Sequence, residues 1–242
     1  MSRVAGVSRV AGGEQGSAGL ATYDACVPPP ENAPSQLRGL IVDWGGVLTA
    51  PIDEAMTAWA RHEGVDLEAY RTVMRSWIEQ SASPIQGLER GEVSPEEFER
   101  LLAKAFRERG VTVVADGLLA RMLSGLTELS DDMVNLVRRA RRQGLKTALL
   151  SNSWGEHYPE HLWVGAFDAV VISGRIGIRK PEEEIFRHTA ALLQLEPGEC
   201  VMVDDLAPNI RGAAAAGMVG VLHVSYEQTV DELEVLFDLP LR

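Results

Sequence analysis

Apolar positions follow two rhythms along the chain. Short unbroken runs recur at Leu40-Ile41-Val42, Ala148-Leu149-Leu150, Ala169-Val170-Val171-Ile172, Val201-Met202-Val203 and Val219 to Val224. Such runs, bounded by turn signals, predict strands buried on both faces. Between them the spacing turns helical. Met133, Leu136, Val137 and Ala140 follow a Ser130 cap and stop at Gly144. Ile185, Ala190 and Leu192-Leu193 follow Arg179-Lys180-Pro181, which predicts a helix with proline at its first position. Ile210, Ala213 and Ala214 lie on a small-residue helix ending at Gly217, and Thr229 to Glu232 reads as the capping box of a terminal helix. Strands alternating with helices predict an α/β fold with a parallel sheet and right-handed crossovers.

The first crossover is too long. A strand–helix–strand unit takes about 30 residues, and the chain runs about 100 past Asp43 before its next strongly apolar strand. The surplus is helical. Ala55, Trp59, Val65 and Leu67 suggest one or two helices, and Tyr70, Val73, Met74, Trp77 and Ile78 another. Ser94-Pro95-Glu96-Glu97 opens a helix striped by Phe98, Leu101, Leu102 and Ala105, and Leu118, Leu119, Met122 and Leu123 suggest one more. The expected organisation is a helical cap over 52–125 inserted into a core of 37–51 and 126–242. Trp59 and Trp77 are expected in the core of that cap. Residues 1–36 carry a repeated Ser-Arg-Val-Ala-Gly and Pro28-Pro29-Pro30. They are read as a disordered, dispensable extension, with no continuous apolar stretch of the signal-peptide type.

Charge narrows the function classes. A net charge of −12 argues against a nucleic-acid surface or an anionic membrane as partner. No apolar run approaches the ~18 residues of a membrane span. Two cysteines, Cys26 and Cys200, make no disulfide scaffold and fit a reducing cytoplasm. Arg138, Arg139, Arg141 and Arg142 cluster on one helix, where they read as a solvated face favourable to its C-terminal dipole.

Chemistry gathers at the strand ends. Asp43 closes the first run and Gly45-Gly46 follow at once; alone, this reads equally as a ligand-facing carboxylate or the cap of the next turn. The other strands end in Ser151-Asn152, Ser173 and Asp204-Asp205, and Lys180 enters from a loop. In a parallel sheet these ends share one edge, where α/β proteins place ligands. Adjacent carboxylates repel, and a hard divalent cation is the usual way to hold them together. Carboxylates around Mg²⁺, with a lysine opposite, are equipment for phosphoryl transfer.

These residues resemble the four motifs of the haloacid dehalogenase superfamily of phosphohydrolases: Asp43; Leu149-Leu150-Ser151-Asn152; Lys180 within Gly177-Ile178-Arg179-Lys180-Pro181; and Val203-Asp204-Asp205-Leu206-Ala207-Pro208-Asn209. The likeness covers about residues 38–225. It implies a Rossmann-like five-stranded sheet of order 5-4-1-2-3 with a helical cap, and a Mg²⁺-dependent phosphatase acting on a small phosphorylated metabolite. The oligomeric state is open, with the monomer favoured. Asp43 would be the nucleophile. Asp43, Asp205 and the Gly45 carbonyl would hold Mg²⁺, with Asp204 a ligand through water or an orienting group. Ser151 and the Asn152 amide would hold phosphate oxygens. Lys180 would neutralise the cluster and orient Asp43.

One position departs from that pattern. The family places a second aspartate, a general acid and base, two residues after the nucleophile. Gly45 stands there, as in a bacterial branch that includes sugar-1-phosphate phosphatases. General acid catalysis is worth about 10²–10⁴ in rate. Glu156 or His157 are candidate replacements, although both also read as surface-loop residues. A fold that keeps its metal site for a regulatory or interaction role is the alternative, and dehalogenation, which needs no metal, a weaker one.

Overall fold

The computed structural model describes residues 36–242 apart from 81, 127–128, 156–157 and 159–163. The expected extension, and with it Cys26, therefore lies outside the described residues save for Gln36, as do Glu156 and His157. Five parallel strands form one sheet: β1 (Gly39–Val42), β2 (Lys146–Ser151), β3 (Ala169–Ile172), β4 (Cys200–Asp204) and β5 (Val219–Leu222). Their order is β3-β2-β1-β4-β5, the expected order read from the other edge. Register is tight in the middle of the sheet, where Val42 pairs with Leu149 on one side and Val203 on the other.

Period-two alternation splits the strand residues between two apolar layers. Leu40, Val42, Leu149, Val201, Val203 and Val221 pack with α6 (Asp131–Arg142) and α10 (Tyr226–Phe237). Ile41, Ala148, Leu150, Val171 and Met202 pack with α8 (Glu183–Leu192) and α9 (Ala207–Ala215). Both faces are covered, which is why the strands read as continuous apolar runs. Val170 is exposed on the edge strand β3, which a single helical turn, α7 (Ser173–Ile176), follows.

Between β1 and α6 lie α1 (Ile52–Glu63), α2 (Leu67–Ile78), α3 (Pro84–Glu89), α4 (Pro95–Arg107) and α5 (Leu118–Leu123), followed by a 3₁₀ turn over Ser124–Leu126. They share an apolar core of their own, built on Trp59, Trp77, Phe98, Leu102, Phe106 and Met122. Aromatic rings meet edge-on there, Trp77 against Phe98 at 5.6 Å and Trp59 against Tyr70 at 5.8 Å. The described residues make one compact unit.

Local signals place several helix starts. Ser94 accepts from the Glu97 amide at 3.2 Å and Ser130 from the Met133 amide at 3.4 Å. Three readings are corrected. The terminal helix is capped by Ser225, which accepts from the Gln228 amide; Thr229 lies inside the helix, its hydroxyl 2.8 Å from His223 Nδ1. Pro181 precedes the cap residue Glu182, so α8 begins two residues past the expected proline start. The arginine cluster on α6 is only partly a solvated face. Arg139 bonds the Leu241 carbonyl and the Tyr226 hydroxyl, and Arg141 pairs with Asp168 at 2.9 Å.

Candidate active site

Asp43 stands immediately past the end of β1, with its amide donating to the Val203 carbonyl of the neighbouring strand at 3.0 Å. That bond carries the sheet one residue further and fixes the carboxylate at the carboxyl edge. Asp43 Oδ1 accepts from the Trp44 amide at 2.6 Å and from Lys180 Nζ at 2.7 Å. Lys180 is fully buried, an environment a cation tolerates only when paired. Its ammonium has three partners: Asp43, Asp204 Oδ2 at 2.7 Å and the Leu150 carbonyl at 2.9 Å. These exhaust its three donors.

Asn152 explains how Lys180 is aimed. Its side-chain oxygen accepts from the Lys180 amide at 2.9 Å and its side-chain nitrogen donates to the Lys180 carbonyl at 3.1 Å. The residue after β2 thus grips the loop lysine by its backbone, as a strand would. Its side chain is occupied in that grip.

The two aspartates after β4 behave differently. Asp204 is fully buried and saturated, with Lys180, the Asn209 amide group and the Leu206 backbone amide all donating to it. Asp205 has a buried oxygen, Oδ1, with no hydrogen-bond partner among the described residues. One oxygen from each of Asp43, Asp204 and Asp205 can be chosen so that all lie within 4.8 Å of one another. Three carboxylates therefore share a pocket with one ammonium. Burial pushes the Asp43 carboxyl well above its usual range, and Asp204 and Asp205 add to that rise against the pull of Lys180. Burial, then the field of Asp204, raises Asp205 to about 6. An orphaned buried oxygen beside crowded carboxylates fits a hard divalent cation. Asp205 and Asp43 are the side chains suited to it, since Asp204 has its bonds elsewhere.

The Gly45-Gly46 turn is shaped for this pocket. A Cβ on Gly46 would sit 2.3 Å from Asp205 Oδ2, and its φ of +74° is a conformation glycine adopts freely. Gly45 has neither constraint; its nearest neighbour would be the flexible end of Ile52 at 3.3 Å.

Ser151 ends β2, buried, with its hydroxyl 2.9 Å from the hydroxyl of Tyr158. The Tyr158 ring packs edge-on against Trp44 at 5.6 Å, and burial pushes its phenol up. Neither Tyr158 nor Asn209 stood out in the sequence as a site residue. The signals were an aromatic seven residues beyond Ser151 and an asparagine five beyond Asp204. Ser173 is buried, and its hydroxyl is engaged by backbone groups. Its hydroxyl accepts from the Ser153 amide and donates to the Glu89 carbonyl on α3. Glu89 also joins the helical insert to the loops that follow β2 and β3 through its carboxylate, which meets Arg179 Nε at 2.5 Å and Trp154 Nε1 at 3.1 Å. A cavity of about 230 Å³ lies beside Trp154, lined by Glu96, Glu99, Asp116 and Leu119 among others.

The fold is thus of the α/β class, a doubly covered parallel sheet whose carboxyl edge gathers three carboxylates and a buried lysine. Residues 37–217 match the haloacid dehalogenase-like hydrolase family, and the chain belongs to it. The chain is 30% identical over 211 residues to acyl-CoA dehydrogenase family member 10 of Mus musculus, covering 84% of this chain and 19% of that protein. It therefore spans about a fifth of that relative's length. A sesquiterpene phosphatase of Aspergillus oryzae is 26% identical over 196 residues, covering 78% of this chain and 90% of that one. Among solved structures, a family enzyme of Bacteroides thetaiotaomicron in complex with magnesium and inorganic phosphate superimposes with a TM-score of 0.54 at 20% identity. The match covers 78% of this chain and 94% of that one and shows the shared fold.

Proposed function

We propose that the protein is a Mg²⁺-dependent phosphohydrolase of small phosphorylated metabolites, working through a phosphoryl group carried on Asp43. The observation that carries this reading is the imbalance at the site: three clustered carboxylates, one fully engaged lysine and an orphaned Asp205 oxygen. The phosphatase relative of near-equal length supports it, as does the magnesium and phosphate complex of the structural neighbour.

In this reading Asp43, Asp205 and the Gly45 carbonyl hold the cation, and Asp204 holds Lys180. Bound Mg²⁺ supplies charge that offsets the negative phosphoryl oxygens. Asp43 attacks phosphorus while the ester oxygen departs, giving an acyl phosphate. Lys180 orients the Asp43 carboxylate and, together with the cation, favours its ionised form against burial and the field of its neighbours. Ser151 and the Asn152 backbone amide bind phosphoryl oxygens. Water then attacks the acyl phosphate and regenerates Asp43. With glycine at 45, the departing oxygen takes its proton from another source, so substrates with acidic leaving groups, such as anomeric or acyl phosphates, are favoured.

Gly45 also favours a second reading, a regulatory protein that retains the site with little turnover. A phosphate-ester screen with Mg²⁺ and with chelator separates the two. The expected result is chelator-sensitive phosphate release from at least one class of ester. No release from any ester, by a folded protein that binds Mg²⁺, would leave the regulatory reading standing.

A further inference from the structure

The hydroxyl pair Tyr158–Ser151 lies at the edge of the phosphoryl site, and nothing in the chemistry so far uses the phenol. We propose that Tyr158 is a positioning residue for phosphoryl binding, acting through Ser151; the inference rests on the phosphatase reading above.

The argument begins with proton counting. A serine hydroxyl has one hydrogen to donate and two lone pairs to accept with. To bind an anionic phosphoryl oxygen, Ser151 must spend its hydrogen on the ligand. Among the described residues its possible acceptors are the Asn152 carbonyl, at a long 3.4 Å, and the Tyr158 oxygen at 2.9 Å. If Tyr158 donates instead, Ser151 accepts from the phenol and its hydrogen is left for the ligand.

Two features favour that direction. A phenol, with an ordinary pKa of about 10, is a stronger donor and a poorer acceptor than an aliphatic hydroxyl, and burial keeps its proton in place at neutral pH. The ring is fixed edge-on to Trp44, the residue next to the nucleophile, which limits the arc the hydroxyl can sweep. A phenol donating to a serine that donates to an anion is a polarised chain, in which each bond strengthens the next. Tyr158 would thus set the direction of the Ser151 hydroxyl without touching phosphorus.

The test is a double-mutant cycle on Tyr158→Phe and Ser151→Ala, read as KM, kcat and the inhibition constant of inorganic phosphate in Mg²⁺. Phenylalanine keeps the ring against Trp44, and melting temperature checks that the fold is retained. Tyr158→Phe is expected to raise KM and the phosphate inhibition constant by about five- to tenfold with a smaller change in kcat, the size of one neutral hydrogen bond. Tyr158→Phe/Ser151→Ala should match Ser151→Ala alone. Independent effects that multiply, an unchanged Tyr158→Phe variant, or a loss confined to kcat and steepening with leaving-group pKa would each overturn the proposal, the last by making Tyr158 a direct proton donor.

A second measurement does not depend on the variant folding. With tyrosines labelled at the phenol carbon, one of the four resonances should shift when phosphate is added to the Mg²⁺-loaded wild type and stay still in Ser151→Ala. A shift that persists in Ser151→Ala would contradict action through Ser151. A wild type that neither binds phosphate nor hydrolyses any ester would overturn the phosphatase reading and this one together, whereas failure of the cycle in an active enzyme overturns this one alone.

Discussion

At Gly46 the chain turns with φ +74°, and any Cβ there meets Asp205 Oδ2 at 2.3 Å. Gly46→Ala should therefore cost about 1–2 kcal/mol from the positive φ and also displace the Asp205 carboxylate. The expected readout is a lower melting temperature together with a smaller rise on adding Mg²⁺; an unchanged Mg²⁺-induced rise would contradict the cradle. Gly45, one residue earlier, has no positive φ and faces only the movable end of Ile52. Gly45→Asp should fold, and should make the dependence of log turnover on leaving-group pKa shallower than in the wild type. Equal slopes would mean that another group already supplies the proton. Asp205 carries the pH dependence. Its folded carboxyl is raised from the ordinary 3.8 to about 6, so between those values the folded state holds more proton than the unfolded chain. Stability conferred at low pH is lost as pH rises through that window. The rise at Asp43 works in the same direction. The metal-free protein should melt at a lower temperature at pH 7.5 than at pH 5, roughly the two ends of that titration. Asp205→Asn should flatten the trend, and Mg²⁺ should reverse it in the wild type. A metal-free melting temperature that climbs over that range would contradict the crowding of carboxylates.

Among the elements, α3 shows where sequence reading stops. Pro84–Glu89 is six residues long with Gly87 inside it, too short for apolar spacing to register. Its Ser83-Pro84 start is the device that announced α4 at Ser94-Pro95, yet no stripe follows to confirm it. The buried strands, the Ser130 cap and the convergence of Asp43, Lys180 and Asp204-Asp205 were legible because run length, turn residues and parallel topology are encoded locally or by chain order. Asn152's grip on Lys180 and Glu89's on Arg179 depend on how loops distant in sequence meet, and Tyr158's on Ser151 is a contact over seven residues that no helix or strand period marks. Glu89 is the contact with the sharpest consequence. Its side chain is 8% exposed and that of Arg179 18%, so removing the carboxylate strands a largely buried guanidinium next to Lys180. Glu89→Ala should destabilise by about 2–4 kcal/mol in chemical denaturation, with Arg179→Ala added to it costing little more. A loss below about 0.5 kcal/mol would show that the pair is solvated and merely decorative.

For the whole molecule, the decisive feature is that one sheet edge collects groups separated by most of the chain. Asp43 comes from β1, Ser151 from β2 and Asp204-Asp205 from β4, and the order β3-β2-β1-β4-β5 puts β1 between the other two. The protein around them is strongly acidic, with a net charge of −12, and Lys180 is already engaged by two carboxylates. An anionic substrate is bound against that background only if a further cation joins the site, so Mg²⁺ should be required for substrate binding as well as for turnover. The central claim is that Asp43 itself carries the phosphoryl group. Acid quenching during turnover of a reactive ester such as an acyl phosphate, reductive trapping of the acyl phosphate with borohydride and peptide mass spectrometry read this directly. The predicted result is a Mg²⁺-dependent modification on Asp43, absent from a folded and inactive Asp43→Asn variant. Sustained phosphate release with Asp43 unmodified, or release by Asp43→Asn at the wild-type rate, would contradict it.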